Sequence, residues 1–144
     1  MDDELAVKIE VPVELKLLRP LNLFVRRLME HAPALAASEK LLDDMELVFN
    51  EAFMNVHDHA YRSGAKGRLS VEIILGSDRL EFRFEDEGES FDPDLISAPD
   101  ADDPGERGRG VWLMRQCMDE FIYRSDTDGR NLLRLIKNIP ALGR

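Results

Sequence analysis

Three groups of residues in this chain carry atoms able to do chemistry, and they follow one another in order. The first is Glu51-Ala-Phe-Met-Asn55, with His59 after it. A spacing of four places Glu51 and Asn55 on one helix face, with His59 a further turn along. Asn55 continues the inward apolar stripe of that helix, where an amide without a partner is costly. Its carbonyl oxygen suits Mg²⁺, which takes few protein oxygens and completes its shell with phosphates and water. Glu51, one turn away, is placed to accept a proton from an attacking hydroxyl or to orient a water. The plainer alternative is a helix with an exposed Glu and an Asn bonded to backbone.

The second group is Phe84-Glu85-Asp86-Glu87-Gly88. The alternation of Leu80, Phe82 and Phe84 points Asp86 to the core side of a strand, so its carboxylate requires a dedicated donor. The exocyclic amine of adenine is one candidate, and Gly88 would let a planar base approach the backbone. A strand-ending Asp-x-Gly turn is the alternative. The third group is Gly105-Glu-Arg107-Gly108-Arg109-Gly110, running directly into a helix. Glycines before a helix N-terminus leave free N–H groups and a positive dipole end, an arrangement that favours phosphate. Arg107 and Arg109 either add charge there or are simply solvated. The absence of GxxxxGK[ST] and of GxGxxG argues against P-loop and Rossmann sites. Taken in order, the groups supply a metal-side helix, an adenine-side strand end and a phosphate-side loop, a complete nucleotide site.

The elements that must position these groups are legible from periodicity. Leu5, Val7, Ile9 and Val11 alternate as in a half-buried strand. Leu21, Phe24, Val25, Leu28 and Met29 repeat at helical spacing, with Pro20 in the first turn. Ser38 is the expected N-cap of a longer helix reaching about Ala60, with an inward stripe of Leu41, Met45, Val48, Ala52, Asn55 and His59. Strands are expected through Leu69–Leu75 and Leu80–Phe84, joined at Gly76-Ser77-Asp78. Between Asp92 and Gly110 the periodicity disappears, as in a loop. A helix resumes near Gly110 with Val111, Met114 and Met118, and a last hairpin turns at Asp128-Gly129. The order β-α-α-β-β-loop-α-β-β, with strands mostly in hairpins, predicts a two-layer α/β sandwich: a mixed or antiparallel sheet with helices on one face.

The chain has 144 residues, enough for one domain with its own core. Its balance, 44% hydrophobic and 33% charged, is that of a globular protein. A net charge of -10, from 19 basic and 29 acidic side chains, argues against a binder of nucleic-acid backbone. One cysteine, Cys117, allows no internal disulfide and reads as a small core residue, as do Met114 and Met118. Trp112 is a candidate interface or lid-packing residue. The acidic start MDDELAVKIEV lacks signal-peptide character, and no apolar run approaches the roughly 20 residues of a membrane span. A soluble, cytoplasmic protein is the expectation.

The stretches Leu47–Tyr61, Asp86–Pro93 and Gly108–Asp119, with the ending Gly129–Lys137, resemble the anti-sigma-factor serine kinases of the histidine-kinase-like ATPase superfamily. The resemblance covers nearly the whole chain. It implies a histidine-kinase-like ATPase fold, ATP and Mg²⁺ as cofactors, and an ATP lid at residues 92–110. It also implies Glu51 as general base toward a partner's serine, Asn55 as Mg²⁺ ligand, Asp86 on the adenine amine and Gly88 beneath the base. Gly108 and Gly110 would lie where the lid meets the triphosphate. The implied partners are a small anti-anti-sigma protein of STAS type, phosphorylated on serine, and a sigma factor; homodimers are common in the family. Where the family often has a threonine after the last hairpin glycine, Arg130 and Asn131 follow Gly129. Six acidic residues and no basic one occupy Asp92–Glu106, so the lid must keep them off the triphosphate or offset them with metal. The alternative to a kinase is a nucleotide-gated module that sequesters a sigma factor or other partner and transfers nothing; Glu51 favours the enzyme. The ATP-binding half of a sensor histidine kinase is disfavoured, since no phosphoacceptor helix or sensor segment precedes these elements.

Overall fold

The alternating N-terminal residues form strand β1 (Leu5–Pro12), and a single 3-10 turn at Leu15–Leu17 leads into helix α1 (Leu18–Met29). The computed structural model describes residues 4–61, 67–90, 92–93 and 109–139. After α1 come a short helix α2 (Pro33–Ala36), the long helix α3 (Glu39–Asn55) and a π-helical turn (Val56–Ala60). Strands β2 (Arg68–Leu75) and β3 (Arg79–Asp86) form a hairpin, followed by helix α4 (Arg109–Cys117) and the hairpin of β4 (Glu120–Ser125) and β5 (Asn131–Asn138). The sheet order is β1-β2-β3-β5-β4, and every pairing is antiparallel. Of the two expected sheet types the antiparallel one is therefore found.

Local chemistry explains the boundaries. Ser38 accepts a hydrogen bond from Leu41 N at 3.1 Å, satisfying one of the N–H groups orphaned at the start of α3. In the last hairpin Asp126 Oδ1 accepts from the backbone N–H groups of Asp128 and Arg130, each at 2.9 Å. Gly129 then closes the turn at φ +84°, a conformation that favours glycine.

The core lies between the sheet's inner face and the helices. Leu69, Val71, Ile73, Phe82, Phe84, Leu133 and Leu135 meet Val25 and Met29 of α1, Met45, Val48, Phe49, Ala52 and Phe53 of α3, and Val111 and Met114 of α4. The Phe49 ring sits 5.6 Å from Phe82, edge to face, and 5.3 Å from Phe84. Each such burial is worth roughly 1.5–3 kcal/mol. Helix α3 is covered on several sides, so its buried arc is broader than the expected stripe. Leu42, Phe49 and Phe53 join it, while Leu41 is only half-buried. The short α2 was not expected. A four-residue helix leaves no periodicity, and its one local signal is Pro33 in the first turn.

The sheet's outer face holds a buried charge. Glu81 has no exposed surface and is clasped by Arg79 at 2.6 Å, by Arg83, and by Arg134 through bonds of 3.1 Å to both oxygens. Burial pushes its carboxyl pKa up, but bonds from Arg134 and Arg83 outweigh this and hold it at about 2. A lowered folded-state pKa gives stability that is complete above the ordinary glutamate value and lost as pH falls toward 2. Urea unfolding between pH 6 and pH 3 should therefore show stability falling with acid, with a shallower fall in Glu81→Gln. Equal slopes in the two proteins would remove Glu81 from the account.

Candidate functional site

Five elements meet at one end of the sheet. Residues Asn55, Val56 and Ala60, from the end of α3 and its π turn, form one side of a narrow recess open to solvent. The other side is Asp86 at the end of β3, Tyr123 of β4, Leu133 of β5, and Glu89. The register sets this, because Tyr123 stands opposite Leu133, and Asp86 opposite Asn131, on the inner face. The lining is mostly apolar with few polar groups, the usual composition of a small-ligand site.

Asp86 is buried and held by two donors. Gly88 N–H reaches its Oδ1 at 2.9 Å and Asn131 Nδ2 at 2.8 Å. Asn131 Nδ2 also donates to Gly88 O at 2.9 Å, while its Oδ1 accepts from the Ser125 hydroxyl at 2.7 Å. Burial pushes the Asp86 pKa up, and the bonds from Asn131 and Gly88 only partly counter it. The donor expected of Asp86 is thus present within the protein, and Asp86 still faces the recess.

The π turn joins the two sides. Its i→i+5 winding is wider than an α-turn, so the four-residue stacking that put His59 above Asn55 does not apply there. His59 is half-buried and does not line the recess. Ala60 O accepts from Glu89 N–H at 2.9 Å. A Cβ on Gly88 would lie 2.4 Å from that same oxygen, so the close approach at Gly88 within the chain is that of Ala60. Tyr61 adds a second tie, donating to Arg68 O at 3.0 Å and accepting from Glu87 N–H at 3.3 Å. Gly88→Ala must push these segments apart. It is expected to cost about 1–3 kcal/mol in urea unfolding and to weaken ligand binding in the recess.

Glu51 faces the first turn of α4. A Cβ on Gly110 would lie 2.6 Å from Glu51 Oε2, so the missing side chain lets a carboxylate sit beside a helix N-terminus. Arg109 is exposed at that terminus. Arg107 and Gly108 lie outside the described residues, as does the expected lid at 92–110 apart from Asp92, Pro93, Arg109 and Gly110. Asn55 Nδ2 is buried without a hydrogen-bond partner. An amide in that condition fits the phosphate end of a nucleotide, its nitrogen toward a phosphate oxygen and its carbonyl oxygen toward a cation. Among the described residues no cluster of three or more His, Cys, Asp or Glu is arranged to hold a metal by itself.

Elsewhere, His57 and Asp58 pair at 2.8 Å on the surface. Burial pushes the Cys117 thiol pKa up, which suits a packing residue rather than a nucleophile. Trp112 is exposed. Asn131, Tyr61, Tyr123 and Leu133 were not singled out as site residues. For Asn131, Tyr123 and Leu133 the available signal was their place on the inner face of strands flanking Asp86, while Tyr61 follows the π turn.

An antiparallel sheet with helices on one face, carrying this recess between a long helix and a strand end, defines a two-layer α/β sandwich. Residues 11–137 match the family described as histidine kinase-like ATPase domain, and the chain belongs to that family. In agreement with the resemblance drawn from the motifs, the chain is similar to serine-protein kinase RsbW of Bacillus velezensis, 33% identical over 94 residues that cover 60% of this chain and 59% of the relative. RsbW of Bacillus subtilis is 33% identical over 87 residues, covering 55% and 54%. The match thus spans under two thirds of these relatives' length. Among solved structures, the SiaB-SiaC complex from Pseudomonas aeruginosa contains a chain of the same fold. Its TM-score is 0.66 at 14% identity, covering 90% of this chain and 88% of that one. No helix among the described residues is long and apolar enough to cross a membrane.

Proposed function

We propose that this protein is an ATP-dependent serine-protein kinase and anti-sigma regulatory factor of the cytoplasm. Its substrate would be a STAS-type anti-anti-sigma protein and its client a sigma factor, and the working form is a homodimer. In this reading the whole chain is one ATPase domain. The base lies in the recess with its amine on Asp86 and Gly88 at its edge. Asn55 would hold Mg²⁺, and the first turn of α4, with Arg109 and Gly110, would face the phosphates, with Arg107 and Gly108 of the preceding sequence as further phosphate contacts. His59 remains a proposed nucleotide contact from outside the recess lining. Bound Mg²⁺ offsets charge on the triphosphate. Glu51 takes the proton of the partner's serine hydroxyl as its oxygen bonds to the terminal phosphorus and the bond to ADP breaks.

The observation that carries this is the convergence of three groups on one end of the fold. They are a buried amide lacking a partner, a buried carboxylate facing an apolar recess, and a second carboxylate a helical turn back beside a helix N-terminus. Kinship to serine-protein kinases supports the choice of transfer over mere capture. The test is ATP calorimetry with and without Mg²⁺. Wild type should bind more tightly with Mg²⁺, and Asn55→Ala should lose that metal-dependent part. A folded wild type that binds no nucleotide sinks the proposal.

A further inference from the structure

Two hydrogen bonds reach the Asp86 carboxylate from Gly88 and Asn131, and they land on the same oxygen, Oδ1. A carboxylate oxygen has two lone pairs, so Gly88 N–H and Asn131 Nδ2 together fill it. The orientation of the Asn131 amide is forced by its partners. Asp86 Oδ1 and Gly88 O are acceptors only and must face the nitrogen, while the Ser125 hydroxyl donates to the amide oxygen. Both N–H positions of the nitrogen are then used, and Asn131 is almost wholly buried.

We propose that Asn131 is a specificity-determining residue: by filling Asp86 Oδ1 it leaves Oδ2 as the single acceptor offered to a ligand, and so makes the site select adenine over guanine. The inference rests on the nucleotide-site reading above and deepens it. Adenine presents one amine at its edge, which one carboxylate oxygen satisfies. Guanine in the same pose turns a carbonyl oxygen toward Oδ2, acceptor against acceptor. Its other way of meeting a carboxylate is to bring two adjacent donors, the ring N–H and the neighbouring amine, onto both oxygens at once. Asn131 closes that mode, because Oδ1 has no lone pair left. Asn131 is a positioning residue here: it acts on the base through Asp86.

The experiment measures ADP and GDP affinity, each with Mg²⁺, for wild type, Asn131→Ala and Ser125→Ala. Wild type should prefer ADP by roughly tenfold or more, the worth of one hydrogen bond to a charged group. Asn131→Ala frees one lone pair of Oδ1, so GDP affinity should rise relative to ADP and the preference should shrink several-fold. Ser125 is exposed at the sheet edge, and Ser125→Ala removes only the hydroxyl that steadies the amide. It should move the ratio less, in the same direction, and it carries the test if Asn131→Ala does not fold. A purely structural role would weaken both nucleotides together, and an unchanged ratio in the variants overturns the inference alone. Equal ADP and GDP affinity in wild type also overturns it alone. A wild type that binds neither nucleotide overturns the site reading and this inference with it.

Discussion

Replacing Glu51 with alanine is expected to lower phosphoryl transfer to a STAS-type partner by about 10²- to 10⁴-fold, the usual contribution of a general base. ATP affinity should hold or tighten in the same variant. Glu51 stands beside the first turn of α4, where its carboxylate and a phosphate would repel one another. Removing that charge favours the nucleotide while removing the proton acceptor. Labelled phosphate transferred to the purified partner in single turnover separates the two effects from product release. Transfer at the wild-type rate by Glu51→Ala would show that the base is another group.

Asp86→Asn should abolish most nucleotide binding, with a loss of at least about 10- to 100-fold. The variant is nearly isosteric, so the cause is orientation. The N–H groups of Gly88 and Asn131 require an oxygen at the Oδ1 position. The new amide nitrogen is therefore forced to the other side, facing the base amine as donor against donor. The wild-type pH profile provides a second check. Because burial raises the Asp86 pKa, protonation should weaken binding at a pH above that of an ordinary aspartate, and Asp86→Asn should lack this limb. Titration calorimetry from pH 7 to pH 4, on protein shown folded by circular dichroism, reads both. Unaltered affinity in the variant would mean that the base contacts something else.

Much of this architecture was legible because it depends on period and on local chemistry. The alternation of Leu69–Leu75 and Leu80–Phe84 marked the inward face of each strand, and Ser38 and Gly129 marked a cap and a turn. Asn55 and Asp86 stood out because their polarity conflicts with an inward position, and Glu51 because it lies one helical turn from Asn55. What escaped depends on contacts distant in sequence. Asn131 bonds Asp86 from 45 positions away, and nothing near it in the chain announces that. The π turn escaped because Val56–Ala60 contains no residue that a widened helix demands. Gly88 was read as making room for a planar base, while its tight neighbour within the chain is Ala60, a packing relation between a helix end and a strand end.

The sheet ends in β1 on one side and β4 on the other, each paired on a single side among the described residues. Each thus turns a row of peptide groups outward, a template on which another extended chain can grow. The sequence guards both margins. β1 carries Lys8 and Glu10 on its open face and ends in Pro12, which lacks the donor that a further strand requires. β4 is short, with Glu120 at its start and Arg124 near its end. Colloidal stability in this protein is consequently a property of its margins as well as of its net charge. Substituting Lys8 or Arg124 with apolar β-formers would expose it to fibril-like association without disturbing the recess.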